Sequence, residues 1–251
     1  MSEQVTAALI IIGNEVLSGR TQDSNLQYIA SGLVDRGIRL REVRVVADDE
    51  TAIVTAVNHL RATHDYVFTT GGIGPTHDDI TSACIAKAFG VPLRRDPRAV
   101  ERLLRQIKPE NLNEARLRMA TLPEGAELID NPISHAPGYR LGNVHVLAGV
   151  PRIMQAMFDG LKDGLRGGAR LLSLNVTIFG SEGLIAAALA EIQRRRPEQE
   201  IGSYPFTRDG VYGTVIVIRG TDRAALTEAG REVEEMAARL GVRAEGEGSP
   251  Q

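Results

Sequence analysis

The run Thr69-Thr70-Gly71-Gly72-Ile73-Gly74-Pro75-Thr76-His77-Asp78-Asp79-Ile80-Thr81 decides how this chain is read. It follows an apolar, strand-like segment, Tyr66-Val67-Phe68, and leads into a helix-like one from Thr81 to Phe89. Three glycines let the backbone adopt positive φ and approach a ligand closely. The helix amino terminus beyond them offers unpaired N–H groups and a partial positive charge, which suit phosphate. Asp78 and Asp79 add hard oxygen ligands of the kind that hold Mg or Mn. The loop lacks both the Lys-Ser/Thr ending of a Walker P-loop and the spacing of G-x-G-x-x-G, so neither nucleotide motif is met.

On the amino-terminal side, Ala7 to Ile12 is an unbroken apolar run, as expected for a strand covered on both faces. Asp23 or Ser24 can cap a helix carrying Leu26, Ile29, Leu33 and Val34 at helical spacing, which Gly37 ends. Arg39 to Val46 alternates like a strand, and Thr51 opens a helix bearing Ile53, Val54, Val57 and Leu60. On the carboxyl-terminal side, residues 96–119 read as helical with a break near Pro109. Val144 to Leu147 follows as a short strand, and Gly149-Val150-Pro151 leads into a helix containing Ile153, Met154, Met157 and Leu161. Strands separated by helices require right-handed crossovers, so the pattern predicts an α/β fold with a parallel, doubly wound sheet.

The character shifts at Gly164 to Gly168, with three glycines in five residues. The spacing predicts a main domain over residues 1–167 and a small α+β subdomain over 168–244. In the latter a strand (171–179), a helix (184–194), two strands (200–204 and 213–219) and a helix (224–240) follow one another. Residues 245–251 are expected to form a disordered tail.

The 251 residues carry 29 basic and 32 acidic side chains, a net charge of -3, which argues against a nucleic-acid footprint. No segment approaches the ~20 apolar residues needed to span a bilayer, so no membrane association is expected. A single cysteine, Cys84, fits a reducing cytoplasm and reads as buried filler.

Ligands of open α/β sheets bind beyond the carboxyl ends of the strands. Four stretches fall there: Gly13-Asn14-Glu15, Asp48-Asp49, the glycine loop and Gly149-Val150-Pro151. Each also has a plainer reading. Glu15 reads equally as a surface carboxylate in a turn, Asp23 as a helix cap, and Asp48 or Asp49 as a cap with the other facing the site. Asp78 and Asp79 could serve a helix first turn. His77 and His135 read as exposed loop histidines.

With these residues in view, Gly13-Asn14-Glu15-Val16-Leu17-Ser18-Gly19, followed by Asp23 and Asn25, resembles the opening motif of the MoaB/Mog molybdopterin-binding domain family. The matching version is the amino-terminal domain of the competence/damage-inducible CinA proteins. Thr69 to Thr81 resembles that family's central signature. Asn131-Pro132 with Ala136-Pro137-Gly138, and Gly149-Val150-Pro151 with Met154 and Met157, complete the series in order. The resemblance covers roughly residues 5 to 165. Beyond it, Ile201-Gly202-Ser203-Tyr204-Pro205 resembles part of a small subdomain attached in some relatives.

The resemblance implies a three-layer α/β/α fold with a pterin or nucleotide pyrophosphate at the glycine loop. It implies catalytic roles for Asp48 and Asp79, metal ligation by Glu15, Asp78 and Asp79, and phosphate binding by Gly71, Gly72, Gly74 and Thr76. Gly13, Glu15, Asp23, Asn25, Thr70, Pro75, Thr81, Pro137, Gly138, Gly149 and Pro151 complete the ligand-binding set it implies. Two activities go with the family: adenylylation of molybdopterin, and hydrolysis of ADP-ribose or FAD with a divalent metal (Mg, Mn or Co). Related domains form trimers or dimers, so a homo-oligomer is expected.

Three positions depart from the pattern. Asn14 replaces the usual acid, Ser134-His135 stand in place of Gly-Thr, and Ala148 replaces a proline. No deamidase-like domain follows in this sequence, so deamidation of nicotinamide mononucleotide is not expected. Three readings remain open: a molybdopterin-binding or transfer role, a metal-dependent pyrophosphatase, and a non-catalytic binding or scaffold domain.

Overall fold

The computed structural model describes residues 4–208, 210–246, 248 and 250. The chain separates into two compact units, residues 1–169 and 170–251.

In the first unit, β1 (Thr6–Ile12) is followed by a one-turn helix α1 (Asn14–Leu17) and by α2 (Asn25–Asp35). Then come β2 (Arg39–Val46), α3 (Glu50–Thr63), β3 (Tyr66–Thr70) and α4 (Thr81–Phe89). A stretch of short elements follows: β4 (Leu93–Arg95), α5 (Pro97–Leu103), a 3-10 turn (Pro109–Asn111) and α6 (Glu114–Arg118). It continues through β5 (Thr121–Pro123), β6 (Glu127–Ile129) and β7 (Gly138–Leu141). β8 (Val144–Leu147) and α7 (Pro151–Lys162) complete the unit.

Six strands form one sheet in the order β2-β1-β3-β8-β7-β6. β2, β1, β3 and β8 are parallel, and β7 and β6 add antiparallel pairs at one edge. The apolar run of β1 is explained by its two-residue period, which sends successive side chains to opposite faces. Ala8, Ile10 and Ile12 pack with Ile53, Val57 and Leu60 of α3 and Ile85 of α4. Ala7, Leu9 and Ile11 pack with Ile29 and Leu33 of α2 and with Met154, Met157 and Phe158 of α7. Helices on both faces give the expected three layers, with a mostly parallel central sheet.

Two expectations need correction here. The α2 stripe is narrower than its spacing suggested: Ile29 and Leu33 are buried, but Leu26 and Val34 are 36% and 43% exposed. The polar Asn25 takes a buried place instead. Residues 96–119 are not one broken helix. Asp96 caps α5 with Pro97 at its first position, and Asn113 accepts from the Arg116 N–H to start α6 separately.

The second unit contains β9 (Leu172–Ile178), α8 (Glu182–Arg195), β10 (Glu200–Arg208), β11 (Val211–Gly220), α9 (Arg223–Arg239) and β12 (Ala244–Gly246). Its sheet, in the order β10-β11-β9-β12, is antiparallel throughout. Alternate residues Val176, Ile178, Ile216 and Ile218 meet Ile185 and Ile192 of α8 and Leu226 and Val233 of α9 in one core. Glu245 and Gly246, expected in a disordered tail, instead pair with Thr177 and Val176 as part of β12. An edge next to β9 offers backbone partners that composition does not reveal. Residues 247, 249 and 251 of that tail lie outside the described residues. Among the described residues no helix is long and apolar enough to cross a membrane.

Candidate functional site

Parallel strands deliver their carboxyl ends to one rim, and β1, β2, β3 and β8 do so here. The loops after them enclose a cavity of about 510 Å³. Gly13, Glu15, Asp48, Gly71, Gly72, Gly74, Pro75, Asp78, Asp79, Gly149 and Pro151 all line it.

The glycine loop is shaped by backbone contacts that tolerate no side chain. Gly71 has φ +101, and a Cβ built there would lie 2.2 Å from the Ile12 carbonyl oxygen. Gly72 has φ +67, and its Cβ would lie 2.2 Å from Thr81 Oγ1. Thr81 fastens the turn from beneath: its hydroxyl donates to the Gly71 carbonyl at 3.0 Å and its N–H to the Gly72 carbonyl at 3.0 Å. Ile80 precedes α4 with no side chain to accept from the first turn, which leaves donors there for an anion.

Asp79 holds the next turn. Its Oδ2 accepts from the Thr76 N–H at 2.8 Å and from the Thr76 hydroxyl at 2.5 Å. The Asp48-Asp49 pair divides its work. Asp49 accepts from the Ala52 N–H at 2.9 Å and caps α3, while Asp48 accepts from the Asn14 N–H at 2.9 Å and lines the cavity. The Glu15 carboxylate lies over Gly13, where a Cβ would come within 2.5 Å of Oε1. Glu15, Asp48 and Asp79 have no ion-pair partner among the described residues, and Asp78 has only the exposed His77, 3.9 Å away.

The remaining predicted positions lie outside the lining and support it. Asn25 is buried, and its Nδ2 donates to the Gly149 carbonyl at 2.8 Å, tying the start of α2 to the loop before α7. Asp23 accepts from the Leu26 N–H at 2.9 Å, as a helix cap does. Thr70 is buried in β3. Thr76 serves Asp79, and Thr81 serves the glycine turn. Pro137 is buried. Gly138 begins β7, where a Cβ would meet the Val146 carbonyl at 2.3 Å.

Thr21, Met119, Asn131, Ser134, Ala136 and Ile153 also line the cavity without having been singled out as ligand-binding residues. Asn131 is the most informative. Its Oδ1 accepts from the N–H groups of Ile133 and Ser134, and its Nδ2 donates to Ser134 Oγ and the Ala136 carbonyl. The Asn-Pro dipeptide was the available signal, because asparagine side chains template turns. His135, in the same loop, is the only non-glycine residue with positive φ among those described, at 57°.

Cys84 lies on the buried face of α4, and burial together with the Glu50 and Asp49 charges pushes its thiol up to about 11. Burial therefore favours the thiol over the nucleophilic thiolate. Among the described residues no three His, Cys, Asp or Glu side chains stand close enough together to hold a metal ion by themselves.

Comparison with known proteins gives the following. The model of a probable molybdopterin binding domain matches residues 8–166, and that of the FAD synthase middle domain matches residues 170–244. A protein of Archaeoglobus fulgidus is 33% identical over 229 residues, covering 91% of this chain and 96% of its own length. A probable FAD synthase of Caenorhabditis briggsae is 31% identical over 255 residues, which are 91% of this chain and 49% of that protein. The crystal structure of the CinA protein of Thermoplasma acidophilum is 34% identical, with a TM-score of 0.61, covering 64% of this chain and 99% of that one.

Proposed function

Because the chain belongs to the family of the probable molybdopterin binding domain, we propose that it binds a pterin phosphate or a nucleotide pyrophosphate at the rim of its parallel sheet. The observation that carries this reading is the glycine loop. Gly71 and Gly72 bring bare backbone to the wall of a cavity whose size suits a small ligand. The uncapped start of α4 beside it favours the negative charge of a phosphate. Glu15, Asp48, Asp78 and Asp79 line the same cavity and accept hydrogen bonds from hydroxyl and amino groups of the ligand.

A second reading, pyrophosphate cleavage in an ADP-ribose or FAD-like dinucleotide, is favoured by the density of carboxylates around the phosphate cradle. All the available donors are hard oxygens, which fits Mg, Mn or Co better than a soft-metal site. Asp48 and Asp79 each have one oxygen engaged and Thr76 holds the Asp78 carboxyl below its usual value, so Glu15 is the freest ligand. With no three-residue group assembled, the protein would supply one or two carboxylates and the ligand's phosphates the rest, a common arrangement for Mg. A metal held this way neutralises pyrophosphate charge. The FAD synthase middle-domain match beyond residue 169 fits a flavin-related ligand.

Melting temperature and calorimetry with molybdopterin, FAD and ADP-ribose, with and without Mg, Mn and Co, test both readings. Binding is expected to raise the melting temperature, and Asp79→Ala to abolish any cleavage. Binding without cleavage removes the second reading. No shift with any ligand removes the first.

A further inference from the structure

A second cavity, of about 530 Å³, adjoins the first. It shares Met119, Ser134 and Ala136 with it and adds Lys108 and Arg116 to its walls. The charges along this segment are arranged unevenly. Arg95, Arg98, Arg102 and Arg105 each pair with a carboxylate: Glu114, Asp96, Asp130 and Glu101, respectively. Three cations nearer the cavities have none among the described residues. Lys108 has no partner, Arg116 donates only to the Asn111 carbonyl at 2.7 Å, and Arg118 only to the Thr76 carbonyl of the glycine loop at 3.4 Å. Arg116 is half-buried, so its charge is less screened than that of an exposed arginine. The first cavity thus gathers unpaired acids, and its neighbour gathers unpaired bases.

We infer that this second cavity is a cationic subsite of the same ligand site, taking the anionic end of an extended phosphate ligand whose nearer phosphate sits at the glycine loop. The inference rests on the proposed phosphate role of that loop and narrows it to ligands with at least two phosphates or one phosphate and a second anionic group. Lys108 supplies a mobile point charge, and Arg116 a planar fork suited to two phosphate oxygens. The shared wall is the loop that Asn131 braces, so both ends of the ligand would be gauged by one rigid segment.

Calorimetric titration of phosphate, pyrophosphate and tripolyphosphate at matched ionic strength tests this. Wild-type protein is expected to bind tripolyphosphate at least tenfold more tightly than phosphate. Lys108→Ala with Arg116→Ala should bring tripolyphosphate down to the affinity of phosphate, and Arg116→Lys should restore part of the difference. Lys108 is exposed, so Lys108→Glu alone gives a folded variant in which the same preference should fall. Gly74→Ala, where a Cβ would meet Asp79 Oδ2 at 2.7 Å, should weaken all three ions together. A tenfold preference that survives both the double variant and Lys108→Glu overturns the subsite and leaves the glycine loop standing. Failure of every ion to bind the wild type overturns the glycine-loop reading, and the subsite with it.

Discussion

In residues 170–251 an antiparallel sheet sends its connections to both ends, and Glu182, Glu191, Asp222 and Glu232 are spent on structure. Glu232 of α9 pairs with Arg195, the last residue of α8, and with Arg196, which caps it, and so holds the two helices together. Arg196 holds the Glu232 carboxyl below its usual value. In residues 1–169 four parallel strands end on one rim, and Glu15, Asp48 and Asp79 reach it without an ion-pair partner among the described residues. Sheet direction explains the contrast, because parallel strands converge their loops and antiparallel strands disperse them.

The largest test of this comparison concerns backbone. Gly71 and Gly210 both have positive φ, but a Cβ would strike the Ile12 carbonyl at Gly71 and meets nothing within 4 Å at Gly210. Gly71→Ala should cost about 4 kcal/mol and Gly210→Ala about 1 kcal/mol in chemical denaturation. Equal costs would show that the rim is no more constrained than a hairpin turn.

A second test is pH. All five histidines lie in the first unit, and His145 of β8 is buried, with Nδ1 unpartnered, against Tyr66 and Phe68. Burial lowers it to about 4, so the folded state keeps it neutral while the unfolded state gains a proton below about 6.5. Its stability contribution is therefore complete above pH 6.5 and is lost as pH falls toward 4, a change of about 3 kcal/mol. Glu232 contributes in full above its unfolded value and is lost only at lower pH. Hydrogen exchange, read unit by unit, should show residues 1–169 weakening first on acidification. His145→Phe should remove the early phase.

The smallest effect separates two neighbours. Asp49→Ala removes a helix cap and should cost about 1 kcal/mol. Asp48→Ala should change stability by less than about 0.5 kcal/mol and reduce ligand affinity. The reverse ranking would exchange their roles.

The long elements were legible because their patterns are local. An unbroken apolar run marked β1, glycine punctuation marked the turn before α4, and helical spacing marked α3 and α7. The short strands β4 to β7 were not, because they lack the apolar character of the equally short β8 and become strands only when a distant partner fixes their register. Asn25 shows the same limit at the site. Its motif was readable, but its bond to the Gly149 carbonyl spans 124 residues. The Asp48-Asp49 pair was legible as a division of labour, and geometry then decided which residue does which.

Asn131 carries one further consequence, on the scale of a molecule's lifetime. Asparagines age when the following backbone nitrogen attacks the side-chain amide and expels ammonia. Pro132 follows Asn131, and a proline nitrogen has no hydrogen to lose. The amide that fastens the cavity wall through four hydrogen bonds is therefore shielded from that clock. Its oxygen-for-nitrogen exchange to aspartate would remove both donors at once, and here chain chemistry delays it.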